Sequence, residues 1–138
     1  MAVSNAVQKI ETYLGELGWP HAQLANNVVG THFDGHFGPV KVMLQLRNPG
    51  IRMAISPVLS RPEGNNWGQS VVKLVKALDA ESQIIHVGLD QGGDVYVKVD
   101  LPTDNIVFEQ FAYVLLQLCQ VSEHLTVPVL QAQVYDTL

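Results

Sequence analysis

Val3, Val7, Ile10, Leu14 and Leu17 recur at alternating steps of four and three residues, which puts them on one side of a helix. Gly18 supplies a stop, and Trp19-Pro20 prevents continuation. The period then changes to two. Val40, Val42, Leu44 and Leu46 alternate with Lys41, Met43, Gln45 and Arg47, and beyond Arg47-Asn48-Pro49-Gly50 come Ile51, Met53 and Ile55. Pairing Arg47 with Arg52 sets Leu46 opposite Met53 and Leu44 opposite Ile55, so the apolar faces coincide across a four-residue loop. Val28 to Phe33 reads as a further strand leaving through Asp34-Gly35, within a strand-rich block from Asn26 to Leu59.

A loop rich in Pro, Gly and Asn, from Arg61 to Gln69, hands over to a short helix. Its apolar face carries Val71, Val72, Leu74, Val75 and Leu78, with Lys73, Lys76 and Asp79 opposite. Ile85, Val87 and Leu89 then face Val95, Val97, Val99 and Leu101 across a glycine-centred turn. A two-residue loop would set Val87 against Lys98, whereas a three-residue loop sets apolar against apolar and is the one expected. Pro102-Thr103-Asp104 opens the last helix. One stripe down it holds Phe108, Ala112, Leu115 and Cys119; a second holds Val107, Phe111, Val114, Leu118, Val121 and Leu125. Pro128 is expected to end or kink this helix, with a final turn or a frayed tail to Leu138. The order α-β-β-β-α-β-β-α, with antiparallel hairpins, implies an α+β fold: a five-stranded antiparallel sheet with helices packed on it, in one domain over 1–138.

Composition sharpens this picture. Hydrophobic residues are 47% of the 138 and charged ones only 15%, against about 25% charged in an ordinary domain. Such a chain is not disordered, and its thin polar coat suits an oligomer that hides apolar surface. Net charge is −5, unevenly placed. Residues 79–138 hold Lys98 alone against nine carboxylates, so nucleic-acid binding, which needs clustered cations, finds no support there. Cys119 is the only cysteine, which excludes an intrachain disulfide and fits a reducing compartment. No run reaches the ~18 apolar residues of a membrane span, and the N-terminus lacks the basic start of a signal peptide. Cytoplasmic location and no membrane contact are the expectations.

Chemical motifs are thin. Ser70-Val71-Val72-Lys73 matches a serine–lysine spacing, but a helix N-cap beside a solvated lysine accounts for the same residues. His32, Asp34 and His36 are potential metal donors, yet strand-to-turn geometry scatters alternate side chains, and a polar turn is the better account. Asp90, Asp94 and Asp100 lack the spacing of a calcium loop and read as turn formers. His86 and His124 are isolated, and Cys119 sits in an apolar stripe with no cation to activate it. No catalytic set, cofactor motif or metal set is expected. Lys41, Arg47 and Arg52 share one face of the first hairpin and form a weak basic patch.

The stretch LDQGGDVYVKVDLPTDNIVFEQFAYVLLQLCQ, residues 89–120, runs from an acidic-glycine hairpin through an alternating strand and a proline junction into a long apolar helix. With the order of elements over 3–125, it resembles the YbjN-like domains, labelled bacterial sensory transduction regulators, and the type III secretion chaperones whose fold they share. The resemblance implies a homodimeric, non-enzymatic module that binds another protein and needs no cofactor. In the secretion chaperones the second helix and neighbouring strands form the dimer, which carries over to a seam at Val71, Val72 and Val75. Periodicity points instead to the second stripe of the last helix as surplus apolar surface. The family geometry takes precedence, because the sheet is able to consume that stripe.

The function expected is a homodimeric, chaperone-like adaptor that captures a segment of an unidentified partner protein on the bare side of a one-sided sheet, with Met43, Arg47 and Arg52 at the contact. The alternative is a regulator that binds a small ligand or nucleic acid through the basic face of the first hairpin. A small enzyme using His32, Asp34 and His36 is the third reading.

Overall fold

The computed structural model describes residues 2–47, 49–63, 66–102 and 106–138, with side chains from Ala6 onward. Helix α1 (Ala2–Leu17) buries Ala6, Val7, Ile10 and Leu14. It ends as its sequence demands: Gly18, at φ 75°, donates to the Gly15 carbonyl and Trp19 donates to that of Leu14, both at 3.0 Å. Strands β1 (His21–Ala25), β2 (Val28–Gly35), β3 (Gly38–Leu46) and β4 (Ile51–Leu59) follow. After α2 (Gln69–Glu81) come β5 (Ile85–Leu89), β6 (Val95–Leu101) and the long α3 (Phe108–Thr137). No helix is long and apolar enough, among the described residues, to cross a membrane.

The strands form one antiparallel sheet in the order β1-β2-β3-β4-β6-β5. Among the described residues, six strands stand where five were expected. The addition is β1, whose five residues are all exposed, so no buried alternation marks it in the sequence. The first hairpin keeps its four-residue loop, but Leu46 pairs with Ile51 and Leu44 with Met53, two residues from the expected register. That shift preserves side-chain parity, so apolar still faces apolar. In the second hairpin Ile85, Val87 and Leu89 pair with Val99, Val97 and Val95 around a three-residue loop, as the pattern required.

Among the described residues, α1, α2 and α3 all cover one face of the sheet. Val29, Val42, Leu44, Met53, Ile55, Val97 and Val99 point into this layer and are buried. Phe111, Leu115, Leu118, Ser122, Leu125 and Val129 line the side of α3 that meets them. Both stripes read from the last helix are largely consumed in this way, since Phe111, Val114, Leu115, Leu118, Cys119 and Leu125 are all buried.

Pro128 does not end α3, and the tail does not fray. The helix continues to Thr137 because Val129 is buried beyond the proline and Asp136 has a docking task. Packing overrides a residue that costs about 3 kcal/mol in an isolated helix interior. The Asp136 carboxylate accepts from the backbone N–H of Ser70 at 3.0 Å and of Val71 at 3.4 Å, capping α2 from another element. Ser70 is therefore not the N-cap: that position belongs to Gly68, which offers no side chain, and a Cβ there would collide with Asp136. Val107 is the N-cap of α3; the expected start at Thr103-Asp104 lies outside the described residues.

Candidate functional site

Among the described residues, no helix lies on the second face of the sheet. Alternate residues of each strand point there, and register sets Ala22, Gly30, Met43, Ala54, Lys98 and His86 side by side across all six strands. Between β1 and β4 this surface sinks into a depression of about 560 Å³. Leu24 and Met43, 62% and 51% exposed, dominate its apolar part, with Ala22 and Ala54 beside them. The missing side chain of Gly30 lets Leu24 lie across β2: a Cβ at that position would meet Leu24 Cδ1 at 2.7 Å. His21, His32, Lys41 and Ser56 supply the polar lining.

The two edges of the sheet differ. On β5 the N–H of Val87 donates to Asp79 Oδ1 at 3.0 Å, and that of Ile85 donates to Ser82 Oγ at 2.9 Å, so side chains at the end of α2 occupy the edge. On β1 the Gln23 side chain donates to the Ala25 carbonyl at 3.3 Å, but among the described residues no side chain accepts from a β1 N–H, and every residue is exposed. An unoccupied edge is a template for an added strand. The open edge and the depression adjoin through Ala22 and Leu24.

A second opening lies inside the sheet. Strand β3 stays paired with β2 down to Gly38, but it pairs with β4 only from Met43 to Leu46. The β4–β6 ladder is also interrupted between Ile55 and Leu59. The diverging strands and α3 enclose a cleft of about 380 Å³, and Lys41 and Ser56 line both it and the outer depression. Its helical wall is already engaged. Ser122 and Thr126 donate their hydroxyls to α3 carbonyls, and Glu123 accepts from the His36 N–H at 3.1 Å.

The residues singled out for partner contact separate. Met43 lies in the depression. Arg52 is committed to Asp100, with Nε donating to Oδ1 at 2.6 Å and Nη2 to Oδ2 at 3.1 Å. That hydrogen bond holds the Asp100 carboxyl below its ordinary range, against some desolvation, with Lys98 and Arg47 adding smaller Coulombic help. A carboxylate thus sits among the cations of the hairpin, which weakens the basic face as a nucleic-acid surface. Val71 and Val75, placed at a dimer seam, are 0% and 4% exposed and belong to the chain's own core, and Val72 is half-buried against it. On a β-branched helix face packed on a sheet, burial inside one subunit and contact with another compete for the same atoms.

His32, Asp34 and His36 all stand exposed, and no group of three potential metal ligands is gathered among the described residues. The hairpin carboxylates hold the turn: Asp90 Oδ1 accepts from the Asp94 N–H at 2.9 Å, and Asp94 Oδ1 from that of Arg61 at 2.8 Å. Burial, with a smaller contribution from Glu123, pushes the Cys119 thiol up to about 12, so it stays protonated and inert. The depression itself was only half legible. Met43 was visible as the apolar residue on the polar parity of β3, whereas Leu24 lay in a segment with no strand signal.

No family model matches the chain, and no curated protein matches it. Among solved structures it superposes on the crystal structure of YbjN from E. coli with a TM-score of 0.63, 20% identity, and coverage of 94% of this chain and 92% of that one. The domain is YbjN-like in fold. YbjN is described there as a candidate transcription regulator. The YbjN-like α+β architecture over nearly the whole chain agrees with the expected class and differs from the expected layout in the added strand β1.

Proposed function

We propose that this YbjN-like chain is a non-enzymatic, homodimeric adaptor that captures an extended apolar segment of a partner polypeptide on the outer face of its sheet. The observation that carries the reading is the Leu24–Met43 depression beside the open β1 edge. A bound segment would gain main-chain hydrogen bonds along β1 and bury alternate side chains against Leu24 and Met43. Both side chains are already partly buried, so completing their burial is worth roughly half of the usual 1.5–3 kcal/mol each, before ordering costs. The regulatory description of YbjN fits a module that acts by binding. Nucleic acid is the less favoured occupant, because Asp100 neutralises Arg52 on the basic face.

Selection of ten-residue peptides from a displayed library, using the intact chain as bait, tests the reading. Selected peptides should be extended and apolar at alternate positions, and Met43→Lys should abolish their binding while leaving the circular-dichroism spectrum unchanged. Peptides that bind Met43→Lys and the parent chain equally would contradict it.

A further inference from the structure

The side of α3 that faces away from the core is not polar. Tyr113, Leu116, Val127, Leu130 and Val134 are all exposed, Leu116 by 45%, and they follow one another at steps of three, eleven, three and four residues, which keeps them on one side of the helix. Leu116, Gln120, Val127 and Val134 lie opposite the buried line Leu115, Leu118, Ser122, Leu125 and Val129. No Lys or Arg occurs anywhere in α3, so no long cationic stem is present to cover the stripe. Near its C-terminal end Val127, Leu130, Gln131 and Val134 enclose a shallow hollow of about 310 Å³. Those four positions are i, i+3, i+4 and i+7, the four-residue hole into which a facing helix inserts one side chain.

We infer that this hollow receives Leu116 of a second copy of the chain, pairing α3 with its symmetry mate antiparallel. The inference supplies the seam for the homodimer in the function proposed above and rests on that part of it. An antiparallel register centred between Glu123 and His124 sets Leu116 over the partner's Leu130 and the partner's Gln131, at the middle of the hole. The same register sets Tyr113 beside the partner's Val134 and Gln120 beside the partner's Val127. Two-fold symmetry then makes each contact twice.

Charge selects the direction. Glu123 is held by the His36 N–H of its own chain, so the carboxylate left on the exposed side is Glu109, and the antiparallel register carries it to the far end of the seam, away from the partner's Glu109. A parallel pair would set Glu109 against the partner's Glu109, which is repulsive. Length suffices as well: Tyr113 to Val134 spans about 30 Å of helix. A contact that long, flanked by Gln117, Gln120 and Gln131, falls at the low end of stable interfaces, about 600 Å² per partner. The seam lies apart from α2, where Val71 and Val75 are already spent on the core.

Sedimentation of the full chain at micromolar concentration should give the mass of two chains, falling to one for Leu116→Glu and staying at two for Leu116→Met. Chains carrying Leu116→Cys, mixed with chains carrying Leu130→Cys under mild oxidation, should form a mixed disulfide that neither forms alone; Cys119 is buried and stays silent. A monomeric parent chain, a dimer indifferent to Leu116→Glu, or a disulfide formed within the Leu116→Cys chains alone would each overturn the seam. Peptide capture at Met43 is read separately on the Leu116→Glu chain, so loss of the seam and loss of the binding face are distinguishable.

Discussion

Val42 and Met43 are neighbours on one strand with opposite fates: the first is 2% exposed beneath the helices, the second 51% exposed on the bare face. The comparison holds across the sheet. Val29, Leu44, Met53, Val97 and Val99 fill the inner layer, while Gly30, Met43, Ala54 and Lys98 form the outer row. Two properties separate the faces. Inner side chains are apolar, mostly branched, and packed beneath the helices; outer ones are small or flexible and exposed, so they leave a hollow rather than a layer. A sheet covered on one side carries stability on one parity and leaves the other free for binding.

Methionine offers the sharpest way to break that comparison, because it occurs on both faces. Met53→Ala should cost about 2–5 kcal/mol in chemical denaturation, since it opens a cavity in the closed layer. Met43→Ala should stay within about 0.5 kcal/mol, because water already reaches the site. Equal losses would mean that the outer face is packed in solution.

A smaller effect tests how the inner layer is closed at its end. Asp136→Ala removes the carboxylate that caps α2 and should cost about 1 kcal/mol, the usual value of an N-cap. Asp136→Asn should recover part of it. Removing the residues after Val134 should reproduce the loss, and no change would show that the last turn of α3 is ornamental.

The smallest effect belongs to the outer face. The hydrogen bond from Arg52 lowers the Asp100 pKa, so the pair's contribution is complete above the unfolded carboxyl pKa, about 3.9. It is lost as pH falls through the lower folded value. Both side chains are partly exposed, which limits the contribution to under about 1 kcal/mol. Asp100→Asn should flatten the acid side of the stability profile by that amount, and an unaltered profile would mean that the ion pair does not form.

Sequence legibility followed the same divide. Inner residues announce themselves by alternation, so β2 through β6 and the apolar pairing within both hairpins were readable. Register in the first hairpin was missed by two residues because that shift keeps parity, and parity is what the pattern encodes. Strand β1 has no inner residue to betray it, and with it Leu24 and half of the depression went unseen. Pro128 misled because local propensity speaks against a helix that tertiary contacts sustain. The outer stripe of α3 was hidden by its abundance of apolar residues: with apolar side chains on the outer as well as the inner side of the helix, periodicity alone does not say which line faces the sheet.

The central claim is that the bare face of the sheet binds an extended apolar segment. Methyl-labelled methionine places one probe on each face, Met43 outside and Met53 inside. Titrating the intact chain with a selected peptide should move the Met43 methyl resonance progressively and leave that of Met53 in place. Saturable binding of the peptide with an unmoved Met43 signal would contradict the account.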